Sequence, residues 1–182
     1  MCVIIYKPAG IKMPSKRVLQ AAFRANPHGC GFASPSHTHK GLRLNRFLSE
    51  LGKVPDSEPC VMHFRLATHG SIKLSNCHPF RRHGDKYHLK NSPAVWFAHN
   101  GVLNIEPIGD RTDSETAFSK LIYPAIVLYG WGSTEADGII NAVRGCSRFA
   151  LMRGGDVRLY GDFIKEPDGC YYSNLRFTYF IN

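Results

Sequence analysis

Short runs of β-branched and aromatic residues recur along this 182-residue chain and predict a series of strands. The first, residues 2–6 (CVIIY), begins at the second residue, and residues 59–65 (PCVMHFR) and 94–99 (AVWFAH) are similarly apolar. Between the last two lies a stretch of about thirty residues, which is long for a connection in a compact domain and suggests a functional loop. Further strands are predicted at residues 29–33, 42–45, 148–152, 157–160, 171–173 and 176–181.

Apolar residues at helical spacing, together with capping residues, predict helices between these strands. Ser15 can cap the first helix, and Thr112 with Glu115 fits a capping box whose helix is interrupted at Pro124. Strands at both ends of the chain with helices between them indicate an α+β layered fold. Helices are predicted at residues 16–26, 46–51, 112–128 and 134–143.

The length and composition favour one domain, residues 1–182, with no synthase domain after it on this chain. No apolar run approaches the roughly 20 residues that span a bilayer, and the N-terminus lacks the basic segment of a signal peptide. We therefore expect a cytoplasmic protein without membrane contact. In a reducing compartment its scattered cysteines should be free thiols rather than a disulfide framework. They are Cys2, Cys30, Cys60, Cys77, Cys146 and Cys170.

Lysine and arginine number 23 against 14 acidic residues, which gives a net charge of +9. Such an excess can attract nucleic acid, but it is dispersed, and only residues 81–86 form a basic cluster. The positive charge is compatible with three interpretations: a solvated basic surface, a surface that binds an acidic protein partner, or a surface that binds nucleic acid.

Cys2 carries the first chemical hypothesis because its small side chain permits removal of Met1. Cys2 would then be an N-terminal residue whose α-amine, with a pKa of about 7.7–8.0, lies beside its own thiol. Such an amine can act as the general base for the nucleophile of the same residue. On its position alone, Cys2 could equally be an ordinary strand residue.

Four downstream motifs in order resemble those of the class II glutamine amidotransferases, which are N-terminal-nucleophile (Ntn) hydrolases. They are residues 63–70 (HFRLATHG) with 76–80 (NCHPF), then 99–103 (HNGVL) and 112–115 (TDSE), and residues 26–31 (NPHGCG) are similar to a further family segment. The resemblance covers nearly the whole chain. It implies a four-layer αββα sandwich of two mostly antiparallel sheets covered by helices, and it implies no cofactor.

The resemblance also assigns roles to residues of this chain. Cys2 would be the nucleophile, and the side-chain amide of Asn100 and the backbone N–H of Gly101 would stabilise the tetrahedral oxyanion. Arg65 would bind the α-carboxylate of free glutamine through its planar guanidinium, and Asp113 would bind the α-ammonium.

Other residues of the motifs would complete the pocket or support it. Leu66, Thr68 and His69 would line the substrate site. The support residues would be His63, Asn76, His78 and His99. These histidines fit no zinc spacing, so we predict no metal site. Taken singly, Arg65 could be a salt-bridge residue, Asp113 a helix-start acid, and residues 100–101 a hairpin turn.

The segment before Gly29 departs from the family because Pro27 and His28 stand where many members have an acid. The leading hypothesis is a glutaminase that supplies ammonia to a separate synthetase. One alternative is a standalone amidohydrolase acting on a γ-glutamyl compound or another small amide, and a second is an inactive module that binds nucleic acid or protein.

Overall fold

The computed structural model describes residues 2–67, 71–84, 93–109 and 111–181. Its strands are β1 (Val3–Lys7), β2 (Cys30–Ala33), β3 (Thr38–Gly41), β4 (Cys60–Phe64), β5 (Phe80–Arg82), β6 (Val95–Asn100), β7 (Arg148–Arg153), β8 (Asp156–Tyr160), β9 (Ile164–Lys165) and β10 (Tyr171–Tyr172). Its helices are α1 (Lys16–Ala25), α2 (Leu44–Leu51), α3 (Asp113–Ala117), α4 (Tyr123–Tyr129) and α5 (Thr134–Arg144).

The strands form two antiparallel sheets. The first has the order β3-β2-β4-β1-β10-β9, and the second has the order β5-β6-β7-β8. The N-terminal strand β1 therefore lies inside the first sheet, between β4 and β10. This arrangement fixes the backbone immediately after Cys2 on both sides.

Side chains alternate along the strands and build three apolar layers. Val3 and Ile5 of β1 face a core shared with α1 and α2, whereas Ile4 faces the second sheet. Between the two sheets lie Ile4, Ala33, Val61, Ala98, Ala150 and Met152. The other face of the second sheet packs on the helices between residues 113 and 144. The predicted α+β fold with four αββα layers is confirmed.

Local signals placed the starts of α1, α3 and α5 correctly because short polar side chains satisfy free backbone N–H groups, whereas α2, which has no side-chain cap, begins two residues earlier than predicted. Ser15 accepts from Val18 N–H at 3.3 Å, and Thr112 accepts from Glu115 N–H at 3.1 Å. The interruption predicted near Pro124 is a π-helical segment, Phe118–Ile122, which joins α3 to α4.

Two predicted strands are wrong. Residues 42–45 follow the end of β3 and enter α2, because Leu44, Phe47, Leu48 and Leu51 pack at helical spacing against the first sheet. Residues 176–181 form a 3₁₀ helix, Arg176–Phe180, in which Phe177 is buried while Tyr179 is 85% exposed.

The long predicted loop also contains regular structure, the 3₁₀ turn Leu74–Asn76 and strand β5. These elements are three residues each, too short for a periodic pattern. All six cysteines are free, and none of the described helices combines the length and apolarity needed to traverse a bilayer.

Candidate active site

Pairing of β1 with β4 places Cys2 beside the segment that follows β4. Val3 is opposite Phe64 in this register, so Cys2 lies next to residues 65–66. Leu66 N–H donates to Cys2 Sγ at 3.3 Å. On the other side, the Asn174 side-chain amide donates to the Cys2 carbonyl at 2.9 Å, so both the sulfur and the backbone of Cys2 are held in place.

Residues from distant parts of the chain line one cleft around this sulfur. They are Cys2, Arg65, Leu66, Ala67, His78, His99, Gly101, Thr112, Asp113 and Ser114. The structure thus brings together a thiol, a cation, a carboxylate and a glycine that the motifs had singled out. Thr68 and His69 lie outside the described residues.

Arg65 is 4% exposed, and its backbone is anchored by its N–H, which donates to the Gly29 carbonyl at 2.7 Å. Its Nη1 donates to the carbonyl of Ser71 at 3.0 Å. The Asn76 side-chain amide donates to the same carbonyl, also at 3.0 Å. Asn76 therefore lies beside Arg65 as a support for the segment that its guanidinium contacts.

The Asp113 carboxylate is fixed by three donors at the start of α3. Oδ2 accepts from Leu103 N–H at 3.1 Å, and Oδ1 accepts from the N–H and the hydroxyl of Ser114 at 2.7 and 3.0 Å. The cleft thus has a fixed acid facing a space that also contains Arg65.

Asn100 ends β6, and the chain turns at Gly101 with φ of 146°. A Cβ at Gly101 would lie 2.2 Å from Ser147 Oγ, so both the backbone angle and the close approach require glycine. The hairpin alternative for residues 100–101 is wrong, since β7, the next strand, begins only at Arg148. Gly101 lines the cleft, whereas the Asn100 side chain is 1% exposed and bonded to Ser173.

Three buried histidines support the floor of this site. His63 Nε2 lies 3.0 Å from the His99 carbonyl and 3.1 Å from His78 Nδ1. His99 Nδ1 lies 2.7 Å from Ser114 Oγ. Because the Ser114 hydroxyl donates to Asp113, His99 Nδ1–H is the donor to Ser114. His99 therefore connects the strand of Asn100 to the Asp113 carboxylate.

Burial keeps these histidines neutral. Desolvation lowers the pKa of His63 to about 3 and that of His99 to about 4, and it also lowers the pKa of His78 well below its ordinary value. Within the described ranges, no group of three or more His, Cys, Asp or Glu is arranged to hold a metal ion.

Burial also raises the pKa of the Cys2 thiol, although the bond from Leu66 N–H and the charge of Arg65 oppose that shift. The thiol form is therefore dominant at neutral pH, and a reaction of this sulfur requires a base to remove its proton.

Several residues at the site had no role assigned from sequence. Ser114 joins His99 to Asp113, and Ser173 and Asn174 hold Asn100 and Cys2. His28, which replaces an acid of many family members, accepts from Ala67 N–H at 2.9 Å. The contacts of Ser173 and Asn174 join residues more than seventy positions apart and leave no local signal in the sequence.

Comparison with known sequences supports the motif assignment. A family model described as "Glutamine amidotransferases class-II" matches residues 37–144. The chain is also similar to a putative glutamine amidotransferase, YafJ, of Escherichia coli K12, with 29% identity over 140 residues. That match covers 64% of this chain and 50% of YafJ, so the chain spans about half the length of this relative.

Comparison with solved structures supports the fold. Glutamine phosphoribosylpyrophosphate amidotransferase of B. subtilis, complexed with ADP and GMP, matches with a TM-score of 0.61 and 18% identity. A structure titled as the allosteric regulatory enzyme of purine biosynthesis matches with a TM-score of 0.59 and 16% identity. Each match covers 94% of this chain and 41% of the other. With the family model matched over more than half of its residues, this chain belongs to the class II glutamine amidotransferases, and its fold is that of the Ntn-type amidotransferases.

Proposed function

We propose that this protein hydrolyses the side-chain amide of free glutamine and uses Cys2, exposed by removal of Met1, as the nucleophile. One observation carries the proposal: the Cys2 thiol shares a single cleft with Arg65, Asp113 and Gly101. A thiol can attack an amide carbon, and the two opposite charges match the two charged groups of a free α-amino acid.

The α-amine of Cys2 is the base in this mechanism. The raised pKa of the thiol makes such a base necessary, and an α-amine titrates close enough to neutrality to take up and return a proton. The bond from Leu66 N–H to Sγ stabilises the thiolate as it forms.

The reaction proceeds in two halves. The amine takes the thiol proton, Sγ attacks Cδ of glutamine, and the carbonyl oxygen becomes an oxyanion bound by Gly101 N–H and the Asn100 amide. The protonated amine then gives its proton to the leaving nitrogen, the C–N bond breaks, and ammonia leaves a thioester on Cys2. Water, deprotonated by the same amine, attacks the thioester and releases glutamate and the thiol.

Substrate selection follows from the fixed charges. The planar guanidinium of Arg65 binds the α-carboxylate, and the Asp113 carboxylate, held by its three donors, binds the α-ammonium. A glutamine residue inside a peptide lacks both charges and is excluded. Leu66, Thr68 and His69 complete the substrate site in this proposal.

The released ammonia serves a separate synthetase, and residues 1–182 act as the glutaminase unit in the cytoplasm. An acceptor is implied by family membership, since amidotransferases pass ammonia on. The net charge of +9 suits an acidic partner surface or a nucleic-acid acceptor. Glutamine turnover that rises when the partner is added would support this arrangement over a standalone amidohydrolase.

Replacing Arg65 by alanine is expected to raise KM for glutamine roughly 10- to 100-fold, because charge-assisted hydrogen bonds to the α-carboxylate are lost. Steady-state ammonia release measures this change. Arg65→Lys keeps the charge but loses the planar guanidinium, so its KM should lie between those of wild type and the Arg65→Ala variant.

Arg24→Ala removes an exposed arginine from α1 and serves as the matched control with unchanged KM. A KM for the Arg65→Ala variant equal to that of wild type would remove Arg65 from the substrate site and with it the proposed selection for free glutamine.

A further inference from the structure

The hydroxyl of Ser173 connects the strand of the nucleophile to Asn100 of the second sheet. Ile4 N–H donates to Ser173 Oγ at 2.8 Å, and Ser173 N–H donates to the Ile4 carbonyl at 2.9 Å. Ser173 Oγ also lies 2.9 Å from Asn100 Nδ2. Ser173 and Asn100 are 2% and 1% exposed, so water does not substitute for these contacts.

The donors and acceptors of the Ser173 hydroxyl and the Asn100 amide do not match in this arrangement. A serine hydroxyl has one proton to donate and two lone pairs, of which one is used by Ile4 N–H. With Nδ2 facing Ser173, the hydroxyl would accept twice and Asn100 Oδ1 would be buried without a partner among the described residues. This orientation therefore leaves two groups unsatisfied at one contact, the hydroxyl proton of Ser173 and the amide oxygen of Asn100, which is costly for buried groups.

Turning the amide by 180° satisfies Ser173 and the amide oxygen, and it makes the amide nitrogen the end of Asn100 that is unpaired within the described part of the chain. The two ends of an amide have nearly the same shape, so the turn needs no other atom to move. Ser173 then accepts from Ile4 N–H and donates its own proton to Asn100 Oδ1. The amide nitrogen takes the former place of the oxygen, with both of its N–H groups free of Ser173.

We propose that Ser173 is a positioning residue that sets the orientation of the Asn100 amide, so that Nδ2 is available to the oxyanion formed at Cys2. The inference rests on the proposed function for its catalytic consequence, although the amide orientation itself does not. Through Ile4, two residues after Cys2, the same serine also fixes the oxyanion donor relative to the strand of the nucleophile.

Kinetics of three variants test the catalytic consequence. Ser173→Ala should lower kcat for glutamine roughly 10- to 100-fold and change KM by less than about twofold. This fall in kcat is a substantial part of the loss that removing an oxyanion donor causes. Ser173→Thr retains a hydroxyl and should keep kcat within about threefold of wild type. Tyr172→Phe removes the neighbouring hydroxyl, which bonds to Asp168, and should leave both parameters unchanged.

The pattern among the variants decides the result. An unchanged kcat in Ser173→Ala would overturn the positioning role, because removing the hydroxyl would then have no effect on turnover. An equal loss of kcat in all three variants would also overturn it, because such a loss reflects only general destabilisation.

Neutron diffraction of the deuterium-exchanged wild-type protein tests the orientation without any activity. A deuteron bound to Ser173 Oγ and directed at Asn100 Oδ1 supports the inference, whereas a deuteron on Asn100 Nδ2 directed at Ser173 overturns it. If the first result is obtained and glutamine is not hydrolysed, the orientation stands and the proposed function fails.

Discussion

Replacing Cys2 by serine or alanine is expected to lower glutamine hydrolysis at least about a thousandfold, as loss of a covalent nucleophile does in other hydrolases. A serine hydroxyl is far less acidic than a thiol, so the α-amine cannot activate it to the same degree. Both replacements are small, which preserves the conditions for Met1 removal. Ammonia release from the purified variants measures the effect.

The fold should tolerate both replacements. Among the described residues, the Cys2 side chain hydrogen-bonds to the backbone of Leu66, and the core residues of β1 begin at Val3. Cys146→Ala provides the control, because this cysteine is exposed between α5 and β7 and should leave activity unchanged. Hydrolysis at the wild-type rate by the Cys2→Ala variant would exclude the mechanism.

Acid should destabilise the protein steeply below about pH 6.5, where histidines of the unfolded chain take up protons. Folded His63 and His99 remain neutral down to about pH 3 and 4, so the unfolded state binds more protons in this interval. Each of these two histidines lowers the free energy of unfolding by about 1.4 kcal/mol per pH unit. Together they lower it by about 4 kcal/mol between pH 6 and 4.5. His78, whose pKa is also lowered, adds to this loss.

Urea unfolding between pH 7 and 4.5 gives the free energy of unfolding and its slope with pH. His78→Gln should reduce the slope because one protonation site of the unfolded chain is removed. His83→Gln changes an exposed histidine and is expected to leave the slope unaltered. A free energy of unfolding that stays constant from pH 7 to 4.5 would contradict the neutral buried histidines.

The sequence was sufficient for the parts of the fold that depend on local chemistry. Ser15 and Thr112 marked helix starts because a single side chain and a nearby N–H decide a cap. Buried strands such as β1, β4 and β6 were visible as continuous apolar runs. The residues of the cleft were visible because motifs placed Cys2 and Arg65 within a common family pattern.

What the sequence missed depends on contacts between distant segments. Residues 176–181 alternate like a strand, but Phe177 and Ile181 pack into the core while Tyr179 and Phe180 are exposed, and the segment forms a 3₁₀ helix instead. The bonds of Ser173 and Asn174 to Asn100 and Cys2 arise from the pairing of β10 with β1 and from the stacking of two sheets. No local pattern records such a contact.

A sequence motif identifies a functional residue, but contacts from distant parts of the fold determine how its side chain is oriented. The motif supplied Asn100, but the contact of its amide in the folded protein is with a hydroxyl that lies 73 positions away in sequence, and we propose that this hydroxyl sets the amide orientation. The same holds for Asp113, whose orientation depends on Ser114 and, through it, on the strand of His99. Positioning residues of this kind are the natural targets for separating binding from turnover.

The most direct measurement is intact mass spectrometry of the wild-type protein before and after reaction with an electrophilic ketone analogue of glutamine, followed by peptide mapping. We predict a chain that lacks Met1, gains the mass of one analogue on Cys2, and is protected by excess glutamine. A chain that keeps Met1, or that is modified elsewhere while Cys2 stays free, would contradict the central claim that Cys2 is an N-terminal nucleophile in a glutamine site.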